Sequence, residues 1–226
     1  MLINIAIDGP SAAGKSTIAD ILAEELNYIH LDTGAMYRCI ALACKKAGIG
    51  YKDEEKVKEI LPESVISFDS FGHVFLNEEN VSKAIREEEI SLGASDVSTL
   101  LSVRKDLVAR QKQFAINKGI IMDGRDIGTV VLKDAEVKIF MTASAQSRAL
   151  RRYLQNKNKG VVCDFDELVK EIEERDYQDS HREHSPLKQA EDAVRIDTSD
   201  MSIQDVVDRV KGIIAEKYPE GVDRND

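Results

Sequence analysis

The chain has 226 residues, 42% hydrophobic and 32% charged, with a net charge of −10. That balance suits one large folded core with room for small inserted subdomains, excludes a disordered chain, and leaves too little basic surface for general nucleic-acid binding. The three cysteines, Cys39, Cys44 and Cys163, lack CxxC spacing, no run approaches membrane length, and the first residues lack the basic region of a signal peptide. These features imply a cytoplasmic protein with free thiols. In chain order, LINIAI (2–7) reads as a buried parallel strand ending on Asp-Gly-Pro, and residues 15–26 as a helix with Ile18, Ile21, Leu22 and Leu26 on one face. YIHLD (28–32) is a second strand, and 64–77 reads as a hairpin turning at Asp-Ser-Phe-Gly. A long helical stretch is expected from Glu87 to Lys118, followed by strands at 119–123, 137–143 and 193–197. Between the last two strands, 144–184 reads as two charged helical segments joined by NKNKG. The final helix, 202–218, opens on the capping pair Ser202 and Asp205. Five buried strands alternating with helices predict a parallel α/β sheet that binds ligands at the carboxyl ends of its strands.

The first strand–helix junction carries the chemistry. Gly9-x4-Gly14-Lys15-Ser16 fits the phosphate-binding P-loop, with a strand before it and an amphipathic helix after it. In such a loop the backbone of Gly9, Pro10, Ser11, Ala12, Ala13, Gly14, Lys15, Ser16 and Thr17 curls so that N–H groups point at phosphate oxygens. Lys15 adds a charge toward the β- and γ-phosphates of a nucleoside triphosphate, and the Ser16 hydroxyl is suited to Mg²⁺. The Asn-Lys-x-Asp base reader of GTPase switches is absent, as is an LSGGQ-type transporter signature. A small-molecule kinase remains, and it needs a second anion site. A kinase of another metabolite, a nucleotide-binding regulatory module and an RNA-associated protein stay open as alternatives at this level.

The second site is expected just past the strand ends. LDTGAMYR (31–38) and MDGRDIGT (122–129) place Arg38 and Arg125 there, each with a guanidinium fork suited to phosphate, and put Asp123 in the position of an Mg²⁺-holding acid. Arg148, Arg151 and Arg152 share one helical face, as do Arg175, Asp179 and Arg182. Intrahelical pairs, Glu171 with Arg175 or Asp179 with Arg182, are the plainer reading of the latter group. A mobile flap carrying these cations toward the γ-phosphate is the functional one.

These motifs together resemble the bacterial cytidylate kinases, nucleoside monophosphate kinases of the P-loop class. IDGPSAAGKST, LDTGAMYR, MDGRDIGTVV, VKIF, RALRRYLQ and EIEERDYQDSHR occur in that family's order over nearly the whole chain. The resemblance implies a five-stranded parallel P-loop kinase core with helices on both faces (1–33, 105–143 and 185–226). It adds a monophosphate-binding region (34–104) with a small β-sheet insert around 64–77, and a short helical lid (144–184). It implies Mg²⁺-dependent transfer of the ATP γ-phosphoryl group to CMP or dCMP. Arg38 and Arg125 would hold the acceptor phosphate; Thr33, Ser95, Arg104, Asp126 and Arg182 would surround cytosine; Arg175 and Asp179 would reach the sugar hydroxyls. Lys15, Arg125, Arg151 and Arg152 would be catalytic, and Ser16 and Asp123 the metal residues. The partners are small molecules, with neither nucleic acid nor membrane, and the chain is expected to act as a monomer. Three positions depart from the pattern: Ala12 replaces a glycine, with a small expected effect; Thr33 replaces serine and keeps the hydroxyl; Gln178 stands where other members carry charge.

Overall fold

The computed structural model describes residues 2–69 and 72–218. The chain divides into two compact units, one made of Met1–Leu31 with Ala115–Asp226, the other of Asp32–Phe114.

The first unit is built on a five-stranded sheet. Its strands are β1 (Asn4–Asp8), β2 (Ile29–Asp32), β6 (Ile120–Gly124), β7 (Val137–Thr142) and β8 (Val194–Asp197), in the order β2-β6-β1-β7-β8. β1 lies parallel between β6 and β7, pairing Ile5 with Ile121 and with Val137. The order therefore reverses at β1, and the crevice beyond its carboxyl end is where a ligand binds in such a sheet. Ile3, Ile5 and Ile7 are buried against Ile121, Val137 and Ile139, which explains their near-continuous apolar runs. The expectation of five buried strands holds only for the three central ones. β2 and β8 are edge strands, and Ile29, Arg195 and Asp197 are exposed.

Helix α1 (Lys15–Leu26) packs Ile18, Ala19 and Leu22 into the same core as Val206, Val207, Val210, Ile213 and Ile214 of α8 (Ile203–Lys217). The expected cap forms: Ser202 Oγ accepts from the Asp205 amide, and Asp205 Oδ2 accepts from the Ser202 amide. The two helices expected in 144–184 are α6 (Ala145–Asn158) and α7 (Phe165–His181), joined through a small cluster of Ala149, Leu168 and Ile172. The connection begins later than the NKNKG string suggests, because helix α6 runs on to Asn158 and ends only at Lys159–Gly160.

In the second unit, α2 (Thr33–Ala47) and α3 (Glu54–Ile60) precede an antiparallel sheet of β3 (Ile66–Phe68), β4 (Val74–Leu76) and β5 (Glu79–Asn80). The expected hairpin is present, with Ile66 opposite Leu76, although Ser70 and Phe71 of its turn lie outside the described residues. A third strand extends it. Asn77 and Glu78 both adopt positive φ, 50° and 67°, the geometry of a two-residue hairpin turn, here without the glycine that usually signals one. The long helical stretch expected from Glu87 to Lys118 is made of two helices, α4 (Glu88–Val97) and α5 (Leu101–Phe114). Ser98 Oγ donates to the Ser95 carbonyl and Thr99 Oγ1 to that of Asp96, each at 2.7 Å, so neighbouring hydroxyls compete with the ladder and end α4. Cys39 and Cys44 are buried free thiols, pushed up to about 12 and about 11 by burial.

Candidate active site

β1 leaves the sheet through Gly9, at φ 149°, where a Cβ would lie 2.0 Å from the Met141 carbonyl oxygen. Any side chain there would drive the loop off β7, so position 9 admits only glycine. The loop closes at Gly14, the N-cap of α1, and no side chain caps that helix. In α2, α6, α7 and α8 the side chains of Asp32, Ser144, Asp164 and Ser202 accept from the first turn. In α1 no side chain takes that place, which suits an anion accepting from the same amides.

Ala12 adopts φ 59°, a left-handed conformation that an L side chain disfavours. Ala12→Gly is therefore expected to stabilise the protein by up to about 1 kcal/mol, a rise of about 2–4 °C in the thermal midpoint. An unchanged or lower midpoint would show that the loop carries no such strain.

Lys15 is buried and donates from Nζ to the Pro10 carbonyl at 2.8 Å. Burial, followed by the charge of Arg125, pushes its ammonium down to about 7. Ser16 Oγ donates to Asp123 Oδ2 at 2.9 Å, bringing the loop hydroxyl onto the acid at the end of β6. Asp123 Oδ1 faces His30 Nε2 at 2.8 Å, and His30 Nδ1 faces Asp20 Oδ1 at 2.6 Å. With a carboxylate on each ring nitrogen, both nitrogens must donate, and the ring is an imidazolium. Burial opposes that charge, but the hydrogen bonds to Asp123 and Asp20 outweigh it and push His30 up to about 10. Its folded value lies above the unfolded one of 6.5, so its stabilisation is complete below pH 6.5 and is lost as pH rises through about 10. The difference in urea midpoint between wild type and His30→Leu is expected to shrink over that window in the ligand-free protein. A difference that stays constant from pH 6 to 10 would refute the charged ring.

Beyond β6, Arg125 Nε donates to Asp179 Oδ2 at 2.7 Å, and Arg182 Nη2 lies 3.7 Å from Asp126 Oδ1. Burial opposes ionisation of Asp179, but Arg125 holds its carboxyl below the usual range. Arg182, the C-cap of α7, also donates from Nε to the Ser185 carbonyl at 2.7 Å. The structure thus brings Arg125, Asp126, Asp179 and Arg182 into one cluster at the carboxyl end of the sheet. The charge of Arg175 also acts on Asp179.

The arginines of α6 separate in role. Arg148 is buried: Nε donates to the Ala143 carbonyl, and the fork holds Asp176 of α7 at 2.9 and 2.5 Å. It braces the two helices and reaches the Ser11 carbonyl at 3.3 Å. Arg151 Nη1 donates to the Ala13 carbonyl and to Thr198 Oγ1, each at 3.2 Å, tying α6 to the phosphate loop. Arg152 is half-buried on the same helix.

Thr33, Arg38, Ser95 and Arg104 belong to the second unit. Thr33 is buried at the start of α2, whose cap Asp32 accepts from Arg38 Nη2 at 2.6 Å. Arg104 is 3% exposed, lies over the Tyr37 ring at 5.8 Å, and donates to the Ser98 carbonyl at 3.3 Å. Ser95 lies on α4. His30, Asp20, Asp8 and Asp176 escaped the sequence reading. Their partners lie on other elements, ten positions away for Asp20 and His30 and 119 for Asp8 and Ile127, and only the polar ending of the apolar strand IAID hinted at Asp8.

The cytidylate kinase family model matches residues 5–216. The chain belongs to the cytidylate kinase family. It is 53% identical over 213 residues to the cytidylate kinase of Leuconostoc mesenteroides, covering 93% of this chain and 95% of that one. It is 50% identical over 218 residues to that of Ligilactobacillus salivarius, covering 95% and 97%. An uncharacterized protein from Eubacterium ventriosum shares the fold, with a TM-score of 0.52 at 14% identity over 96% of this chain and 99% of that one. As a kinase of this family the protein is a phosphotransferase that uses a nucleotide. Among the described residues no helix is long and apolar enough to cross a membrane.

Proposed function

We propose that the chain transfers the γ-phosphoryl group of ATP to CMP or dCMP, acting as a cytoplasmic monomer. The observation that carries this reading is the cluster of Arg125, Asp126, Asp179 and Arg182 beside the phosphate loop, in a chain of this family. The loop amides and Lys15 bind the donor phosphates. Arg38 and Arg125 hold the acceptor phosphate. Asp126, buried next to Arg182, accepts from the cytosine amino group, while arginine donates to the ring N3 and O2; Thr33, Ser95 and Arg104 are assigned to the base by the family resemblance. Uracil exchanges donor for acceptor at those positions and leaves buried groups unsatisfied, which separates the two bases by orders of magnitude. Arg175 and Asp179 reach the sugar, and Arg151 and Arg152 serve the ATP side from a lid, 144–184. The P-loop core (1–33, 105–143 and 185–226) and the monophosphate-binding region (34–104) supply the rest.

The residues also fit Mg²⁺. Ser16 Oγ and Asp123 Oδ2 converge at 2.9 Å, two hard oxygen donors at the foot of α1. Bound there, Mg²⁺ neutralises charge on the phosphate oxygens.

The acceptor phosphate oxygen forms a bond to the γ-phosphorus as the bond from that phosphorus to the bridging oxygen breaks, releasing ADP. A phosphate monoester has a second pKa near 6 and is ionised at pH 7, so no strong general base is required. Lys15 and the arginines act by position and charge. ADP formation measured with Mg·ATP against CMP, dCMP, UMP, AMP, GMP and no acceptor tests the reading. Turnover confined to CMP and dCMP is expected. Turnover with another acceptor alone would discard the cytosine roles, and none at all would leave a nucleotide-binding module.

A further inference from the structure

We propose that Asp8 is a positioning residue for the acceptor side of the site, holding the backbone that carries Arg125 and Asp126 in place from the neighbouring strand. The proposal rests on the acceptor-binding role given above to those two residues. Asp8 ends β1 and is 4% exposed. Its Oδ1 accepts from the Ile127 amide and its Oδ2 from the Gly128 amide, each at 2.7 Å. Those two amides open the short π-helical turn Ile127–Val131, whose first N–H groups have no partner within the turn. The carboxylate does for this turn what a capping side chain does for a helix, but from a residue 119 positions away in the chain.

The site has no slack. A Cβ at Gly128 would lie 3.3 Å from Asp8 Oδ2 and 3.2 Å from the Lys138 side chain, so the backbone is pressed against the carboxylate. Burial pushes Asp8 up to about 6, opposed by the two amide hydrogen bonds, with Asp126 raising it further and Lys15 lowering it. An amide side chain would be easier to bury here, yet it offers one acceptor oxygen and would turn its NH₂ against the second backbone N–H. The two amides meet separate oxygens, and a carboxylate supplies both. What the tether fixes is the residue pair just before the turn, Arg125 and Asp126. The same carboxylate sits one residue before Gly9, so the strand that delivers the phosphate loop also sets the position of the acceptor-binding pair.

Asp8→Asn tests this through two readouts. Amide hydrogen exchange at Ile127 and Gly128 is expected to accelerate at least tenfold, with the amides of β1 and β6 unchanged. The KM for CMP is expected to rise at least tenfold while the ATP dissociation constant, measured by calorimetry, moves less than twofold. Unchanged exchange at 127 and 128, or equal weakening of ATP and CMP, would overturn the proposal. Should Asp8→Asn not fold, Asp8→Glu keeps the charge and both oxygens but lengthens the tether in a site without slack, and is expected to give the same split. A normal KM for CMP in Asp8→Glu would count against the tether. Should wild type turn over a different acceptor, the function reading fails while the exchange measurement still decides the role of Asp8, and the KM comparison passes to that acceptor.

Discussion

Lys15→Ala loses about 100- to 1000-fold in turnover while the ligand-free protein keeps or gains stability. The loss follows from removing the one ammonium placed by the loop at the transferring phosphates. The stability follows from where that ammonium sits without a ligand. Burial, then repulsion from Arg125, lowers its pKa from 10.5 to about 7, so the charged form is less favourable in the folded chain than in the unfolded one. A base with a lowered folded value weakens the fold most below that value, and the penalty fades as pH rises toward the unfolded one. Alanine removes the penalty, and with it the hydrogen bond to the Pro10 carbonyl and the packing of the stem. The gain is therefore expected at pH 6 and is smaller at pH 9. Steady-state kcat together with urea midpoints at the two pH values checks it. Near-normal kcat would remove Lys15 from the chemistry, and a large fall in the midpoint at pH 6 would show that the buried ammonium supports the fold.

Arg125→Ala is expected to lose about 100-fold or more in turnover, and unlike Lys15→Ala it also destabilises. Arg125 and Asp179 form a 2.7 Å ion pair with side chains 19% and 7% exposed. Deleting the guanidinium leaves the Asp179 carboxylate without its shortest cation in a site that disfavours charge, which costs about 1–3 kcal/mol. The double variant Arg125→Ala/Asp179→Asn separates the two effects. It is expected to recover most of the lost stability, read by thermal unfolding, and none of the lost turnover. If the double variant recovers turnover as well, Arg125 acts by balancing Asp179 and not by holding the acceptor phosphate.

Both predictions begin from motifs visible along the chain, yet their signs depend on burial and partners that the chain order hides. The IAIDGPSAAGKST junction was legible because strand, glycine spacing and helix all fall within one local segment. β6 and β7 were legible for a related reason: strands buried on both faces read as continuous apolar runs. The break between α4 and α5 was not, because no glycine or proline marks it. Ser98 and Thr99 end the helix through hydroxyl bonds that compete with the ladder only weakly in isolation. The Asn77–Glu78 turn was missed for want of a glycine, although asparagine tolerates positive φ.

Arg148 illustrates the limit at the site. Its i, i+3, i+4 spacing with Arg151 and Arg152 places all three on one face, and periodicity alone treats them as equivalent. The fold separates them, since Arg148 is clamped by Asp176 on the next helix and Arg151 meets the Ala13 carbonyl and Thr198. His30 shows the same limit from the other side: within YIHLD it reads only as a polar residue of a strand, and only the pairing order puts it against Asp123.

By itself, the sequence determined the phosphate loop, the strand–helix alternation and the family, because each depends on residues adjacent in the chain or on the order of short motifs. Only the tertiary structure decided which charges meet: Asp8 with the Ile127 and Gly128 amides, His30 with Asp20 and Asp123, Arg125 with Asp179. Parallel sheets join strands through long crossovers, so residues tens to more than a hundred positions apart end side by side at one edge. Local pattern holds no record of that adjacency, and the ionisation state of a buried group follows from the adjacency alone.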